Sequence, residues 1–122
     1  SYVEGGWNSL AFPEAWGGQG LPQTLAVALV DALNGASMSF AIGTTLTTGA
    51  AKAVLHAGTD DQKKTYLPKL VSGEWTGTMN LTEPQSGSDL SELRAKAVPA
   101  GDGTYRISGQ KIFITYGDHD LS

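Results

Sequence analysis

The residues whose types and spacing could do chemistry lie in Thr78-Met79-Asn80-Leu81-Thr82-Glu83-Pro84-Gln85-Ser86-Gly87-Ser88-Asp89-Leu90, a short apolar run that stops at a proline and opens into a polar loop. Extended backbone presents side chains alternately to two faces. Met79, Leu81 and Glu83 then share one side, and Asn80 and Thr82 the other. After Pro84, Gln85 to Ser88 offers main-chain N–H groups with little bulk around them, beside the Ser88 hydroxyl and the Asp89 carboxylate. Such a loop can cradle an anionic oxygen or form a capped turn, and the turn is the commoner use of these residues.

The other ionisable groups are less suggestive. His56 stands alone near a predicted helix C-terminus, where the dipole favours a positive ring. A capping or partly buried role fits it better than metal binding, which needs several ligands. Asp118-His119-Asp120 on one strand end cannot converge on a single ion, so a surface loop is expected there and no metal site is assigned. Lys63, Lys64 and Lys69 could attract a phosphate, but a solvated helix face is the simpler account.

A chain of 122 residues is within the size of a single domain. Sixteen glycines and a net charge of −4 suit a globular protein rich in tight turns and argue against a polyanion-binding surface. Nucleic acid is therefore not expected as a partner. No apolar run approaches the roughly 20 residues needed to span a bilayer, and no basic-then-apolar leader precedes the first turn. The sequence contains no cysteine, which excludes disulfides and thiolate metal sites and fits a cytoplasmic location.

The elements that must position the polar loop follow in order. Residues 1–21 are dense in Gly and aromatics, and Phe12 to Gly20 is expected to be a turn-rich loop pinned to a core by Trp7, Phe12 and Trp16. Leu25, Ala26, Leu29, Val30 and Leu33 fall at helical steps, so a helix is predicted from Pro22 to about Asn34, ended by Asn34-Gly35. A second helix is predicted from near Ser37 to His56, stopped by Gly58. Its middle, Gly43-Thr44-Thr45-Leu46-Thr47-Thr48-Gly49, is a poor helix former and needs tertiary support. Thr59 can cap a third helix whose first turn carries Asp60 and Asp61. At Ser72-Gly73-Glu74 the pattern changes to strand alternation, with strands predicted over 76–82, 93–99, 105–108 and 111–116. Ala100-Gly101-Asp102-Gly103 joins two of them as a hairpin turn, and Ser108-Gly109-Gln110 makes the next. The fold class is α+β with segregated elements: residues 1–73 belong to a helical domain, and residues 74–122 begin an antiparallel β-sheet or barrel.

Thr82-Glu83-Pro84 followed by Gly87-Ser88-Asp89 resembles the signature that opens the middle domain of the acyl-CoA dehydrogenases. The resemblance extends over nearly the whole chain. Pro13-Glu14 with Gly17-Gly18 and Gly20 is similar to the loop before the family's long helices. The run from Gly58 to Leu70, with Gln62, Tyr66-Leu67-Pro68 and Leu70, resembles the segment that closes its helical domain, and Phe113-Ile114-Thr115 is similar to its aromatic-Ile-Thr triplet. The ending from Phe113 to Leu121 looks like the larger-chain branch that includes enzymes acting on methylthio-propionyl-CoA. By this resemblance the chain is an internal piece of a larger enzyme.

The resemblance implies a flavoenzyme that desaturates an acyl-CoA thioester between its α and β carbons. No side chain accepts a hydride, so a cofactor must, and the family uses FAD. Met79, Leu81 and Thr82 would line the flavin ring, with the Thr82 hydroxyl as a polar handle. Gly87 and Ser88 would approach the flavin's phosphate-bearing tail or the substrate's pantetheine portion. Phe113 would cover the ring, while Ile114 and Thr115 contact its reactive centre. Singly, Leu81 and Ile114 could be core and Thr82 and Thr115 ordinary strand residues. Met79, Phe113 and Tyr116 depart from the family's usual aromatic, tryptophan and small polar residue. The second helix would lie along the acyl pocket, or pack closely through Gly43, Gly49 and Ala50. The family's catalytic base is a glutamate on a later helical domain, so no residue here is assigned as catalytic, and Glu83 is expected to be a structural carboxylate. The resemblance also implies an electron-transfer flavoprotein as acceptor and a homo-oligomer. An acyl-CoA oxidase, or a non-catalytic flavin- or acyl-CoA-binding module, are the alternatives.

Overall fold

The computed structural model describes residues 1–119. It contains helices α1 (Gln23–Ala36), α2 (Met38–Ala57) and α3 (Asp60–Ser72), then strands β1 (Lys96–Pro99) and β2 (Tyr105–Ser108). The chain divides into two compact units, Ser1–Thr78 with the segment that starts at Tyr116, and Met79–Thr115. The order, helices first and antiparallel strands after, is the segregated α+β class expected. No described helix is long and apolar enough to cross a membrane.

In the first unit α3 is the best specified element. Gln62 N–H donates to Thr59 Oγ1, and the Thr59 N–H donates to Gln62 Oε1, a reciprocal capping box. Leu67, Leu70 and Val71, spaced three and four apart, are its buried face. They join Phe12 and Ala51 in the core, with Trp16, Val54 and Leu55 packed against them. Phe12 and Trp16 thus anchor the N-terminal loop as expected, whereas Trp7 is exposed. Asn8 completes this anchorage: its Nδ2 donates to the Leu70 and Val71 carbonyls, at 2.8 and 3.3 Å, which the end of α3 leaves without helical partners.

α1 runs through Asn34-Gly35 rather than stopping there. Ser37 ends it instead, in an extended conformation, with its N–H donating to the Leu33 carbonyl. The Ser37 hydroxyl then caps α2 by accepting from the Phe40 N–H.

The poor helix formers of α2 have a packing reason. Gly43, Thr47 and Ala51 recur every four residues and are buried, a seam of small side chains that other segments can approach closely. The Tyr116 ring lies so near Gly43 that a Cβ there would overlap it. The backbone at Gly77 lies against the same seam, where a Cβ would come within 2.5 Å of Ala50 Cβ. Gly77 N–H donates to Thr47 Oγ1 at 3.1 Å, and that hydroxyl donates to the Gly43 carbonyl at 3.0 Å. Gly49, by contrast, faces open space. On the side of α2 towards α1, Thr44, Thr48 and Lys52 line a cavity of about 190 Å³ with Ala26, Leu29 and Val30. Close packing and the cavity therefore lie on different faces of one helix.

In the second unit β1 and β2 form an antiparallel pair in the register Lys96↔Ser108 to Pro99↔Tyr105. The turn between them is the one expected: Gly101 and Gly103 take positive φ, and Asp102 Oδ1 accepts from the Thr104 N–H and hydroxyl. The strands expected over 76–82 and 111–116 are absent as regular strands. They are irregular backbone with an isolated bridge at Met79↔Thr115.

Candidate functional site

The two segments that carry most of the candidate residues lie side by side. Met79 N–H donates to the Thr115 carbonyl at 3.4 Å, and Ile112 N–H donates to the Thr82 carbonyl at 3.0 Å. These bonds share one antiparallel register, yet Met79 and Thr82 are three residues apart. In a regular ladder, bonded residues recur every second position, so the two bonds are out of phase. Phe113 lies between them with φ 55, and Tyr116 follows with φ 63. A left-handed bulky residue breaks the alternation, which explains why residue types that favour strands do not make a strand here.

The pairing leaves apolar side chains facing outward. Phe113 is 81 % exposed, and Met79, Leu81 and Ile114 are also well exposed. Thr82 is half-buried. The Thr115 hydroxyl donates to the Phe113 carbonyl at 3.4 Å. Four exposed apolar side chains are thus carried by two paired segments of one compact unit. Leu81 and Ile114 are exposed within this unit.

The polar loop is built around Glu83. Its N–H donates to the Ser86 carbonyl at 2.9 Å and its carbonyl accepts from the Ser86 N–H at 3.0 Å, closing a tight turn over Pro84 and Gln85. The Ser86 hydroxyl, buried, donates to the Asp89 carbonyl. Asp89 in turn accepts from the Ser91 N–H and hydroxyl, which holds its carboxyl below the usual range. Gly87 and Ser88 are left at the exposed tip, and a Cβ on Gly87 would meet nothing within 4 Å. The loop is therefore a capped turn, with an accessible tip beside it.

Glu83 itself is only 3 % exposed. Oε1 accepts from Lys111 Nζ at 2.8 Å and from the Ala95 N–H at 3.0 Å. Oε2 accepts from the Arg94 N–H and from Gln85 Nε2, both at 2.7 Å. The Lys111 ammonium, then the Arg94 amide, lower its pKa to about 2 against the opposing effect of burial. A carboxylate so engaged is a poor proton acceptor and a good structural anchor, as expected for Glu83. Sequence reasoning missed its partners. Lys111 is 28 residues away, and no local pattern signals such a pairing.

The histidines are plainly placed. His56 is exposed in the last turn of α2. His119 lies in irregular backbone and is half-buried, its Nε2 3.0 Å from Thr76 Oγ1 and its ring tilted against Tyr116 with centroids 4.2 Å apart. Asp120 lies outside the described residues. Among those residues no group of His, Asp and Glu could hold a metal ion.

Comparison with known proteins bears on this geometry. Residues 2–74 match the family model for the acyl-CoA dehydrogenase N-terminal domain. The chain is 55 % identical over 121 residues to 3-methylmercaptopropionyl-CoA dehydrogenase of Ruegeria pomeroyi, covering 99 % of this chain and 21 % of that protein. It superposes on butyryl-CoA dehydrogenase from Megasphaera elsdenii with a TM-score of 0.87 at 34 % identity, over 94 % of this chain and 31 % of that one. An acyl-CoA dehydrogenase complexed with FAD from Bacillus anthracis matches with a TM-score of 0.80 at 34 % identity, over 93 % of this chain and 20 % of that one. The chain spans about a fifth of the length of the curated relative. By the family model that covers most of its length, the chain belongs to the acyl-CoA dehydrogenase family.

Proposed function

We propose that the chain supplies one wall of the flavin and thioester site of an FAD-dependent acyl-CoA dehydrogenase. The observation that carries this reading is the side-by-side placement of residues 79–82 and 112–115, with the apolar side chains of Met79, Leu81, Phe113 and Ile114 left exposed. Exposed apolar side chains carried on two adjacent segments call for a partner, and a planar ring suits them. In this reading residues 1–73 are part of the helical domain and residues 74–122 begin the flavin-binding domain. Thr82 and Thr115 offer hydroxyls to ring heteroatoms, and the Gly87-Ser88 tip meets the cofactor's phosphates or the pantetheine arm, since glycine permits close backbone approach. Ile42, Thr45 and Gly49, which recur on an exposed face of α2, leave room along that helix for an acyl group.

FAD, when bound, supplies the acceptor for the β hydride that no side chain can take. The α proton goes to a carboxylate outside this chain, because Glu83 is fully engaged as an acceptor and holds its proton too weakly. The identity to the Ruegeria protein makes 3-methylmercaptopropionyl-CoA the first substrate to try. Transfer of the electrons to an electron-transfer flavoprotein, a homo-oligomeric assembly and a cytoplasmic location belong to the same proposal.

The test is the visible spectrum of the purified intact protein, with and without acyl-CoA thioesters. Flavin bands that bleach on adding thioester are expected. A protein without flavin bands, or with bands that no thioester bleaches, refutes the reading, and peroxide formation under air would assign an oxidase instead.

A further inference from the structure

Glu83 and Lys111 lie just outside the surface assigned to the ring, yet both are fastened to the backbone that carries it. The Lys111 ammonium donates to the Leu81 carbonyl at 3.0 Å as well as to Glu83 Oε1 at 2.8 Å. The same carboxylate accepts from the Arg94 and Ala95 amides, which draws in the segment leading to β1. One buried charge therefore gathers three stretches distant in sequence. The backbone bonds at Met79 and Ile112 share one register but are out of phase for a regular ladder, and the Glu83–Lys111 pair falls next in that same register as a further tie between the two segments.

We propose that the Glu83–Lys111 ion pair clamps these two segments against each other, and through that tunes the affinity and reduction potential of the flavin, as a pair of positioning residues. This assignment rests on the flavin reading above. Removing Lys111 frees the Leu81 carbonyl and leaves a buried carboxylate without its cation, which destabilises the arrangement well beyond the loss of a surface pair. The consequence falls on the ring contacts because Leu81 is next to Thr82 and Lys111 is two residues before Phe113.

The experiment compares wild type with Lys111→Met, Glu83→Gln and the double variant in the intact protein. Amide exchange at Arg94 and Ala95 is read in the flavin-free protein, and the FAD dissociation constant, the resolution of the flavin bands and the midpoint potential in the loaded one. In Lys111→Met the two amides exchange at least tenfold faster and FAD affinity falls about ten- to hundredfold, with a shifted potential. The double variant is no worse than the poorer single, because both act through one interaction. If Lys111→Met does not fold, Glu83→Gln, which keeps the shape and loses the charge, decides in the same way. Unchanged FAD affinity, band shape and potential in a folded variant overturn the assignment while the flavin reading stands. A wild-type protein that takes up no FAD overturns both.

Discussion

Replacing Thr47 with valine preserves the shape of a side chain only 3 % exposed and deletes its hydroxyl. That hydroxyl donates to the Gly43 carbonyl at 3.0 Å and accepts from the Gly77 N–H at 3.1 Å. The carbonyl loses little, since a helical carbonyl at this position keeps its backbone partner. The Gly77 amide loses its acceptor, in a place where its backbone already lies against Ala50 and cannot move inward. A buried donor left unmade costs about 1–3 kcal/mol, and the change in helix propensity from threonine to valine is negligible beside it. Against a domain stability of roughly 5–15 kcal/mol this is a measurable fraction. Urea denaturation of Thr47→Val should show a lower midpoint with an unchanged slope. Amide exchange at Gly77 should accelerate about five- to hundredfold if it proceeds by local opening. Thr47→Ser keeps the hydroxyl and removes one methyl, costing about 0.8 kcal/mol, and should leave Gly77 protected. A valine variant as stable as wild type, with Gly77 exchange unaltered, would refute the idea that this hydroxyl docks the Gly77 backbone onto α2.

Leu67 has no exposed surface and contributes to the core from α3; Leu67→Ala should cost about 2–5 kcal/mol by denaturant titration. Thr59→Ala removes one half of the capping box and should cost about 1 kcal/mol, seen as faster amide exchange over the first turn of α3. The Glu83 carboxyl has a folded-state pKa of about 2 against an ordinary 4.5. A depressed carboxylate stabilises the fold above its unfolded pKa and loses that contribution as pH falls through the folded value. The Arg94 and Ala95 amides should therefore lose protection between about pH 4.5 and pH 2, and Glu83→Gln should flatten this dependence. Retained protection at pH 2 would place the anchorage elsewhere.

What was legible in the sequence was local. Thr59, expected to cap α3, does so, and the structure adds the reciprocal bond from Gln62. Gly101-Asp102-Gly103 announces its turn, and the strand 105–108 follows at the expected place. α1 runs past the Asn-Gly that usually stops a helix: Gly35 stays helical and the break comes where Ser37 turns extended. The strands expected over 76–82 and 111–116 failed for a different reason. Alternation of side chains predicts extended backbone, but a ladder also requires the hydrogen bonds of two segments to be in phase, and the left-handed Phe113 prevents that. The candidate residues of those segments came from the resemblance, and their adjacency from the structure. The partners of Glu83 and the Thr47–Gly77 bond, 28 and 30 residues apart, were invisible because nothing short-range encodes them.

Ser37 closes α1 and opens α2, so the joint between two long helices is a single residue. A joint that short leaves almost no slack to be lost when the helices meet. Their pairing is expected to be among the earliest steps as the chain emerges from the ribosome, whereas the Glu83–Lys111 contact must wait until residue 111 has been synthesised. Lengthening the joint by even a few glycines would trade that head start for a wandering α1, at little cost to the finished fold.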